Sequence, residues 1–159
     1  MNATPVIPPK VSLREVRPGD LPILFEHQLD PEGAWMAAFT SRDHDAFLAH
    51  WAKIMANPAC AIRVILADGS VAGNIGAWTD GADRQVGYWI GRECWGRGIA
   101  SAALVLFLDY ETTRPLTACV AKHNAASIRV LQKAGFTLAR EDAFGLPDGT
   151  KFVELVFKL

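Results

Sequence analysis

The feature that most restricts the fold is a glycine-rich loop between a short apolar strand and a long apolar segment. The strand covers 86–90 (VGYWI), the loop covers 91–98, and residues 99–110 (IASAALVLFLDY) follow. The last segment is apolar on nearly every side, which predicts a buried central helix. A helix N-terminus has unpaired N–H groups and partial positive charge, and glycines let a ligand approach the backbone. The unit therefore predicts an anion site at 96–100, with a tight structural turn as the alternative.

Two common phosphate-binding motifs do not match this loop. A P-loop needs Gly-Lys-Ser/Thr at the start of the helix, and this loop has none. A dinucleotide-binding fingerprint needs an acidic residue about 20 positions further on, whereas the predicted strand over 116–121 is followed by Lys122. The strands before the loop also predict an antiparallel meander rather than a parallel sheet. The sequence therefore excludes both motifs.

Short strands and helices are predicted on both sides of this unit. Asp20 is a candidate cap for the first helix, Ser41 or Asp43 for the second, and Asn124 for the last. Before the glycine loop, the predicted order is strand 12–16, helix 21–29, a loop with an apolar patch over 30–39 and a helix ending at 57–58. Strands 60–67, 71–78 and 85–90 follow, with a hairpin at 68–69. After the loop, the order is helix 99–110, strand 116–121, a helix from 124 to 135, and strands 136–139 and 151–159 joined by a turn at 146–149.

Length and composition exclude several classes of protein. The chain has 159 residues and no internal repeat, which predicts a loose arm over 1–10 and one domain over 11–159. No apolar run is long enough to cross a membrane, and no secretory signal is visible. Sixteen basic and seventeen acidic residues give no basic surplus for nucleic acid. Three separated cysteines and four irregularly spaced histidines predict neither a disulfide framework nor a metal site, and favour the cytoplasm.

A second motif follows the loop and gives the sequence a specific resemblance. Residues 124–136 have the pattern Asn-x-x-Ser-x-x-x-Leu-x-Lys-x-Gly-Phe, some 25 residues after the Trp-Gly-Arg-Gly-Ile-Ala segment. The two motifs resemble the GNAT superfamily of N-acetyltransferases over roughly 11–159, most of all its ribosomal-protein-alanine and small-molecule subgroup. The resemblance implies a mixed α/β fold: a mostly antiparallel twisted sheet of about seven strands with about four helices, splayed at an acetyl-CoA cleft.

The resemblance implies a site for acetyl-CoA as the acetyl donor. The pyrophosphate would lie on backbone amides of the glycine loop, and the strand before it would offer backbone groups to the pantetheine arm and the thioester oxygen. Asn124 and Ser127 match positions near the pantetheine and the sulfur. The donor-site residues implied are Tyr88, Trp89, Ile90, Trp95, Gly96, Arg97, Gly98, Ile99, Ala100, Ser101, Asn124 and Ser127.

Two positions depart from the pattern of the family. Glu93 stands where the loop motif usually begins with Gln or Arg, which leaves the glycine-amide cradle intact. Leu131 stands where many relatives have a tyrosine that protonates the leaving thiolate. Because a thiol has a pKa of about 8.5, a thiolate is a tolerable leaving group near neutral pH. Ser127 is then the candidate general acid.

The acceptor implied by the resemblance is a primary amine, either a small molecule or a protein N-terminus, which attacks the thioester directly. Trp35, Met36, Phe39 and Trp78 are candidate walls of its pocket. The general base is not fixed by the sequence, and its candidates are Glu26, Glu32, His27, His50, Glu141 and Asp142.

Three further alternatives remain open from the sequence. A CoA-binding sensor of the same fold would keep the glycine loop without turnover, and an interaction domain would need no CoA. The final strand, residues 152–159, could present an exposed edge that pairs with a second subunit in a homodimer.

Overall fold

The computed structural model describes residues 3–159, which form one seven-stranded sheet with helices on both faces. The sheet order is β1-β2-β3-β4-β5-β7-β6. The predicted mixed α/β fold is confirmed, with five α-helices in the described chain rather than about four. The elements are β1 Val11–Arg14, α1 Leu21–Leu29, α2 Pro31–Met36, α3 His44–Ala56, β2 Ala61–Ala67, β3 Ser70–Asp80, β4 Asp83–Ile90, α4 Ile99–Tyr110, β5 Leu116–Ala121, α5 Ala125–Lys133, β6 Thr137–Gly145 and β7 Lys151–Lys158.

The sheet divides between β4 and β5. Every other neighbouring pair of strands is antiparallel, whereas β4 and β5 run parallel and pair only at Arg84 with Leu116 and Gln85 with Thr117. From Val86 to Ile90, β4 pairs with β3 alone. The predicted splay is therefore confirmed, and it leaves backbone groups of β4 without a strand partner on one side.

Two clusters of apolar side chains cover the two faces of the sheet. On one face, Leu104 and Phe107 of α4 pack with Ile65 and Ile75 of the sheet. On the other, Trp51 of α3 packs with Val64. Val64 and Ile65 are neighbours in β2 and point to opposite faces, as strand geometry requires. Each such fully buried side chain contributes about 1.5–3 kcal/mol to folding.

Helix α4 is buried on one side only, so the predicted all-round burial was wrong. Ile99, Leu104 and Phe107 are fully buried, whereas Val105 and Tyr110 are 57% and 59% exposed. The helix lies on the surface of the sheet, and no further layer covers its outer side within the described residues. Its apolar outer side chains therefore remain in contact with solvent.

The first helices differ from the prediction in two places. Asp20 does not cap α1; its carboxylate accepts hydrogen bonds from the Arg14 guanidinium at 2.7 and 2.9 Å and from Arg17 N at 2.8 Å. The predicted loop over 30–33 is instead the start of α2, where the Asp30 carboxylate accepts a hydrogen bond from Gly33 N at 2.7 Å. The apolar patch therefore begins on a helix.

Local signals elsewhere were confirmed. Asp43 caps α3 by accepting from Ala46 N at 2.8 Å, and Asn124 caps α5. Asp68 and Gly69 both have positive φ in the β2–β3 hairpin, and Gly135 has φ +98 after α5. Residues 3–10 contain no helix or strand, and the first two residues of the predicted arm lie outside the described chain.

The last two strands correct the predicted dimer edge. Strand β7 lies between β5 and β6 and pairs with both, so residues 152–158 present no exposed edge. The edges of the sheet are β1 and β6, and β6 continues to Gly145 rather than ending at Ala139. The prediction that the final strand is exposed was wrong because its neighbour β6, which precedes it in the chain, covers its outer side.

Candidate active site

The divergence of β4 from β5 opens a cavity of about 420 Å³ at the N-termini of α4 and α5. All the predicted donor-site residues except Arg97 line it. Five residues that the sequence did not indicate also line it. Of these, only Val130 could have been predicted from the sequence, because it lies one turn after Ser127 on the same face of α5. The five are Gly33, Ala37, Cys94, Ala126 and Val130.

The N-terminus of α4 forms one end of this cavity. Gly96 and Gly98 adopt left-handed φ values of +73 and +74, and no atom lies within 4 Å of where a Cβ would stand at either. The first intrahelical bond runs from Ala102 N to Gly98 O at 3.1 Å. The amides of Ile99 and Ala100 therefore have no partner within the helix and open into the cavity as an anion site.

Arg97 lies beside the cavity and does not line it. Its guanidinium lies 3.9 Å from the Asp68 carboxylate. Its side chain is half-exposed. The structure therefore does not bring Arg97 together with the amides that flank it in the sequence.

The backbone of β4 divides its groups between β3 and the open gap. Gly91 N donates to Ala72 O at 2.8 Å, and the Trp89 carbonyl lies against Gly73, so both residues face β3. Alternate residues of an antiparallel strand face opposite neighbours. Tyr88 and Ile90 therefore direct their backbone groups toward the gap. The indole Nε1 of Trp95 donates to Ile90 O at 2.9 Å, so that carbonyl is occupied, and the amides of Tyr88 and Ile90 are the donors that face the gap.

The N-terminus of α5 supplies the Ser127 hydroxyl and the Asn124 side-chain amide to the cavity, where the Tyr88 hydroxyl of β4 meets them. Ser127 Oγ lies 2.6 Å from Tyr88 Oη. The Asn124 side chain accepts from Ser127 N at 3.2 Å and donates to Met36 O at 3.2 Å, which ties α5 to α2. Burial raises the pKa of the Tyr88 phenol, so it keeps its proton at neutral pH. Leu131 is fully buried and offers no donor.

The four predicted acceptor-wall residues lie in different surroundings. Met36 lines the cavity, and the Phe39 ring packs edge-on against Trp89 with centroids 5.4 Å apart. The Trp78 ring covers Gly87 and is 41% exposed. Trp35 is 54% exposed and stacks on His123 at 4.7 Å. Of these four, only Met36 lies in the cavity itself.

The acidic and histidine candidates for a general base lie outside the cavity lining in residues 3–159. Glu32 pairs with Arg92, Glu141 with Lys122 at 3.0 Å, and Asp142 with Arg140 at 3.0 Å. His27 is buried beside Glu93, and its burial lowers its pKa. Glu26 lies exposed on α1, and burial lowers the pKa of His50 on α3.

The cysteines near the gap are held as neutral thiols. Although Cys119 keeps an exposed edge, desolvation and the nearby Glu154 carboxylate raise its pKa to about 12. Burial also raises the pKa of Cys94, which lines the cavity. Because the thiolate is the nucleophilic form, neither residue is suited to form an acyl-enzyme.

The described part of the chain contains neither a metal-binding cluster nor a membrane-spanning helix. Residues 3–159 hold no cluster of three or more His, Cys, Asp or Glu side chains with the arrangement of a metal site. None of the helices in this range has the length and apolarity required to span a bilayer.

Comparison with known proteins identifies the family. The model of the acetyltransferase (GNAT) domain matches residues 10–137. The chain belongs to the GNAT acetyltransferase family. No curated protein sequence matches this GNAT chain significantly. The sequence prediction of a GNAT N-acetyltransferase is confirmed.

Solved structures resemble this GNAT protein over nearly its full length. RimJ from Mycobacterium smegmatis, in complex with CoA-disulfide, is 25% identical, with 94% of this chain and 81% of that chain covered and a TM-score of 0.74. A putative acetyltransferase, yncA, from Salmonella typhimurium with acetyl-CoA is 20% identical, with 94% and 92% covered and a TM-score of 0.73. Spermidine N-acetyltransferase from Vibrio cholerae, with CoA and spermine, is 16% identical, with 92% and 94% covered and a TM-score of 0.80.

Proposed function

We propose that this GNAT enzyme transfers the acetyl group of acetyl-CoA directly to a primary amine, on a small molecule or a protein N-terminus. The observation that carries the proposal is the cavity at the β4–β5 divergence. It joins the open amides of α4 to the Tyr88 amide and the Ser127 hydroxyl. One end thus suits a phosphate, and the other holds donors for a thioester.

Different residues of the cavity would bind the donor and stabilise the charge that develops in the reaction. Acetyl-CoA supplies an acetyl group activated as a thioester. The amides of Gly98, Ile99, Ala100 and their neighbours would hold its pyrophosphate. The Tyr88 amide would donate to the carbonyl oxygen, where negative charge develops as the neutral amine attacks. No covalent enzyme intermediate is needed, in agreement with the neutral state of Cys94 and Cys119.

Ser127 is the proposed general acid. As the C–S bond breaks, the electron pair stays on sulfur and the hydroxyl of Ser127 donates its proton to it. The serine recovers a proton from cleft water, and the amine loses its own to water, so the protons balance. No acidic or histidine side chain from the predicted set lines the cavity in the described chain, which supports solvent as the proton acceptor.

The acceptor is proposed from the surroundings of Trp89. Met36 and Trp89 line the cavity and Phe39 packs against Trp89, and this apolar surface favours an apolar or aromatic amine. The likeness to RimJ and the resemblance to the ribosomal-protein-alanine subgroup support a protein N-terminus as the competing acceptor. A cytoplasmic location and a homodimer remain predictions.

A sensor without turnover is the second candidate. Leu131 in place of a tyrosine, together with the lack of a candidate base in the cavity lining over residues 3–159, favours it. Thiol release from acetyl-CoA, measured with arylalkylamines, polyamines and peptides with free N-termini, distinguishes the two. Release with at least one class supports the enzyme, and binding of CoA with no release from any class supports the sensor.

Replacing Ser127 tests the proposed acid. Ser127→Ala should lower kcat by about 100-fold, in the range of general acid catalysis, while the KM for acetyl-CoA changes little. Ser70→Ala, at the exposed start of β3, is the matched control and should behave as wild type. An equal loss in kcat and in affinity for CoA would make Ser127 a binding residue instead.

A further inference from the structure

The contact between Tyr88 and Ser127 joins two elements that are 39 residues apart in the sequence. Tyr88 lies on β4 where the strand has left β5, and Ser127 lies in the first turn of α5. Their hydroxyl oxygens are 2.6 Å apart, within the range of a strong O–H···O hydrogen bond. Both side chains line the same cavity. The pair is therefore part of the site and not of the general core.

Either hydroxyl can donate in this hydrogen bond, but a phenol is far more acidic than a serine hydroxyl and is therefore the better donor. The next acceptor for the Tyr88 hydrogen is Ser127 O at 3.5 Å, which is too long for a good bond. That carbonyl also belongs to α5, where a helical carbonyl accepts from the amide four residues later. In the arrangement proposed below, the phenol therefore donates to Ser127 Oγ. Among residues 3–159, no other side chain or backbone acceptor lies within hydrogen-bond distance of Ser127 Oγ.

This direction leaves the serine with its own hydrogen to give. Ser127 N already donates to the Asn124 side chain, which holds the backbone of the serine in place. A serine hydroxyl otherwise rotates to suit its partners. With Oγ occupied as an acceptor from Tyr88, its hydrogen points to the remaining side, into the cavity.

We propose that Tyr88 is a positioning residue that donates to Ser127 Oγ, so that the serine hydroxyl is directed at the sulfur of bound CoA and becomes a stronger donor. The inference rests on the proposed function of Ser127. Donation into Oγ polarises the serine O–H bond, because hydrogen bonds in a chain strengthen one another. Tyr88 itself gives up no proton. Burial, which raises its pKa, keeps the phenol in the donating form.

Titration of the thiol of bound CoA tests the proposal without turnover. Thiolate absorbance is followed against pH with saturating CoA, and the spectrum of the protein alone is subtracted. Cys94 in the same cavity stays protonated because its burial raises its pKa. The wild-type protein should lower the pKa of the CoA thiol by about one unit, the size expected for one hydrogen bond to a charged group.

Three single variants, one double variant and one control define the expected pattern. Tyr88→Phe keeps the ring and should return the thiol pKa at least halfway to that of free CoA. Ser127→Ala should return it fully, and the double variant should go no further. Ser127→Thr keeps the hydroxyl and should keep the shift. Tyr110→Phe alters the other tyrosine of the chain, which lies exposed on α4, and should behave as wild type.

Turnover supplies the second measurement. With any amine that releases thiol, Tyr88→Phe should lower kcat about tenfold and leave the KM for acetyl-CoA unchanged. A wild-type thiol pKa equal to that of free CoA would overturn the proposal. So would a Tyr88→Phe variant with the wild-type shift, or shifts that add in the double variant. Failure of the proposed function is a separate result: no amine releases thiol, whatever the titration shows.

Discussion

At the scale of single residues, the glycine loop shows which functions local sequence can encode. Gly98 is favoured by its left-handed φ of +74, and no atom lies within 4 Å of where its Cβ would stand. Gly81, in the hairpin between β3 and β4, has φ +60 and equally open surroundings. The two positions differ in what borders the open space. At Gly98 it is bordered by the free amides of α4, whereas at Gly81 it is open to solvent.

This comparison predicts a selective loss of CoA binding. Gly98→Val and Gly81→Val carry a similar backbone cost, about 1–2 kcal/mol for a left-handed residue with a side chain. Gly98→Val should also block approach to the amides and weaken CoA binding by about 100-fold, as expected when charge-assisted hydrogen bonds are lost. Gly81→Val should bind CoA as wild type does. Isothermal titration of both folded proteins measures the difference, and equal affinities would contradict the assigned site.

Residues whose role depends on distant packing were beyond sequence analysis. The amides of 96–101 could be predicted because a glycine pattern before an apolar helix is local. The hydrogen bond between Tyr88 and Ser127 could not, because the route of the chain through β5 and α5 sets it. The Arg97 guanidinium lies 3.9 Å from the Asp68 carboxylate, a contact that the sequence did not indicate, and its place at the phosphate stays a prediction.

At the scale of elements, the predicted strands and long helices agreed better than the short ones. Helix α2 has six residues, fewer than two turns, so its apolar residues show no clear period. Its signals are the Asp30 cap and Pro31 in the first turn, which also suit a loop. The extra length of β6 was missed because residues 140–142 are charged and mostly exposed, and the pairing with β7 holds them in the sheet.

The tie between β1 and the start of α1 gives a prediction at this scale. The Arg14 guanidinium lowers the pKa of the Asp20 carboxyl, which is buried and also accepts from Arg17 N. The ionised carboxyl stabilises the folded protein when the pH is above the pKa of the unfolded chain, near 3.8. This stabilisation is lost as the pH falls through the lower pKa of the folded state.

Asp20→Asn should therefore lower the free energy of unfolding at pH 7 by about 2 kcal/mol. The difference from wild type should shrink as the pH falls below about 4, because both proteins then carry a neutral group. Denaturant unfolding across this range measures it. Asp80→Asn, at the exposed end of β3, is the control and should change little at any pH. A difference that stays constant with pH would refute the role of this ion pair.

At the scale of the whole molecule, the fold creates the site by dividing one sheet. A continuous sheet would pair β4 with β5 along its length, but pairing stops after Gln85. The N-termini of α4 and α5 lie at this gap, and both line the cavity of about 420 Å³. The order of the strands and of the longer helices was predictable from the sequence, whereas α2 was not. The neighbours of β7 were not, because a strand pattern does not tell which strand will cover its edge.

The central claim is that this cavity binds acetyl-CoA, and thermal melting tests it most directly. A ligand that binds only the folded state stabilises it by about 2.7 kcal/mol at 100 times its Kd. For a chain of this size, that raises the Tm by roughly 5–10 °C. Acetyl-CoA and CoA should both give such a rise, and NADH, which also carries a pyrophosphate, should give none. No rise with millimolar acetyl-CoA, or an equal rise with NADH, would contradict the assigned site.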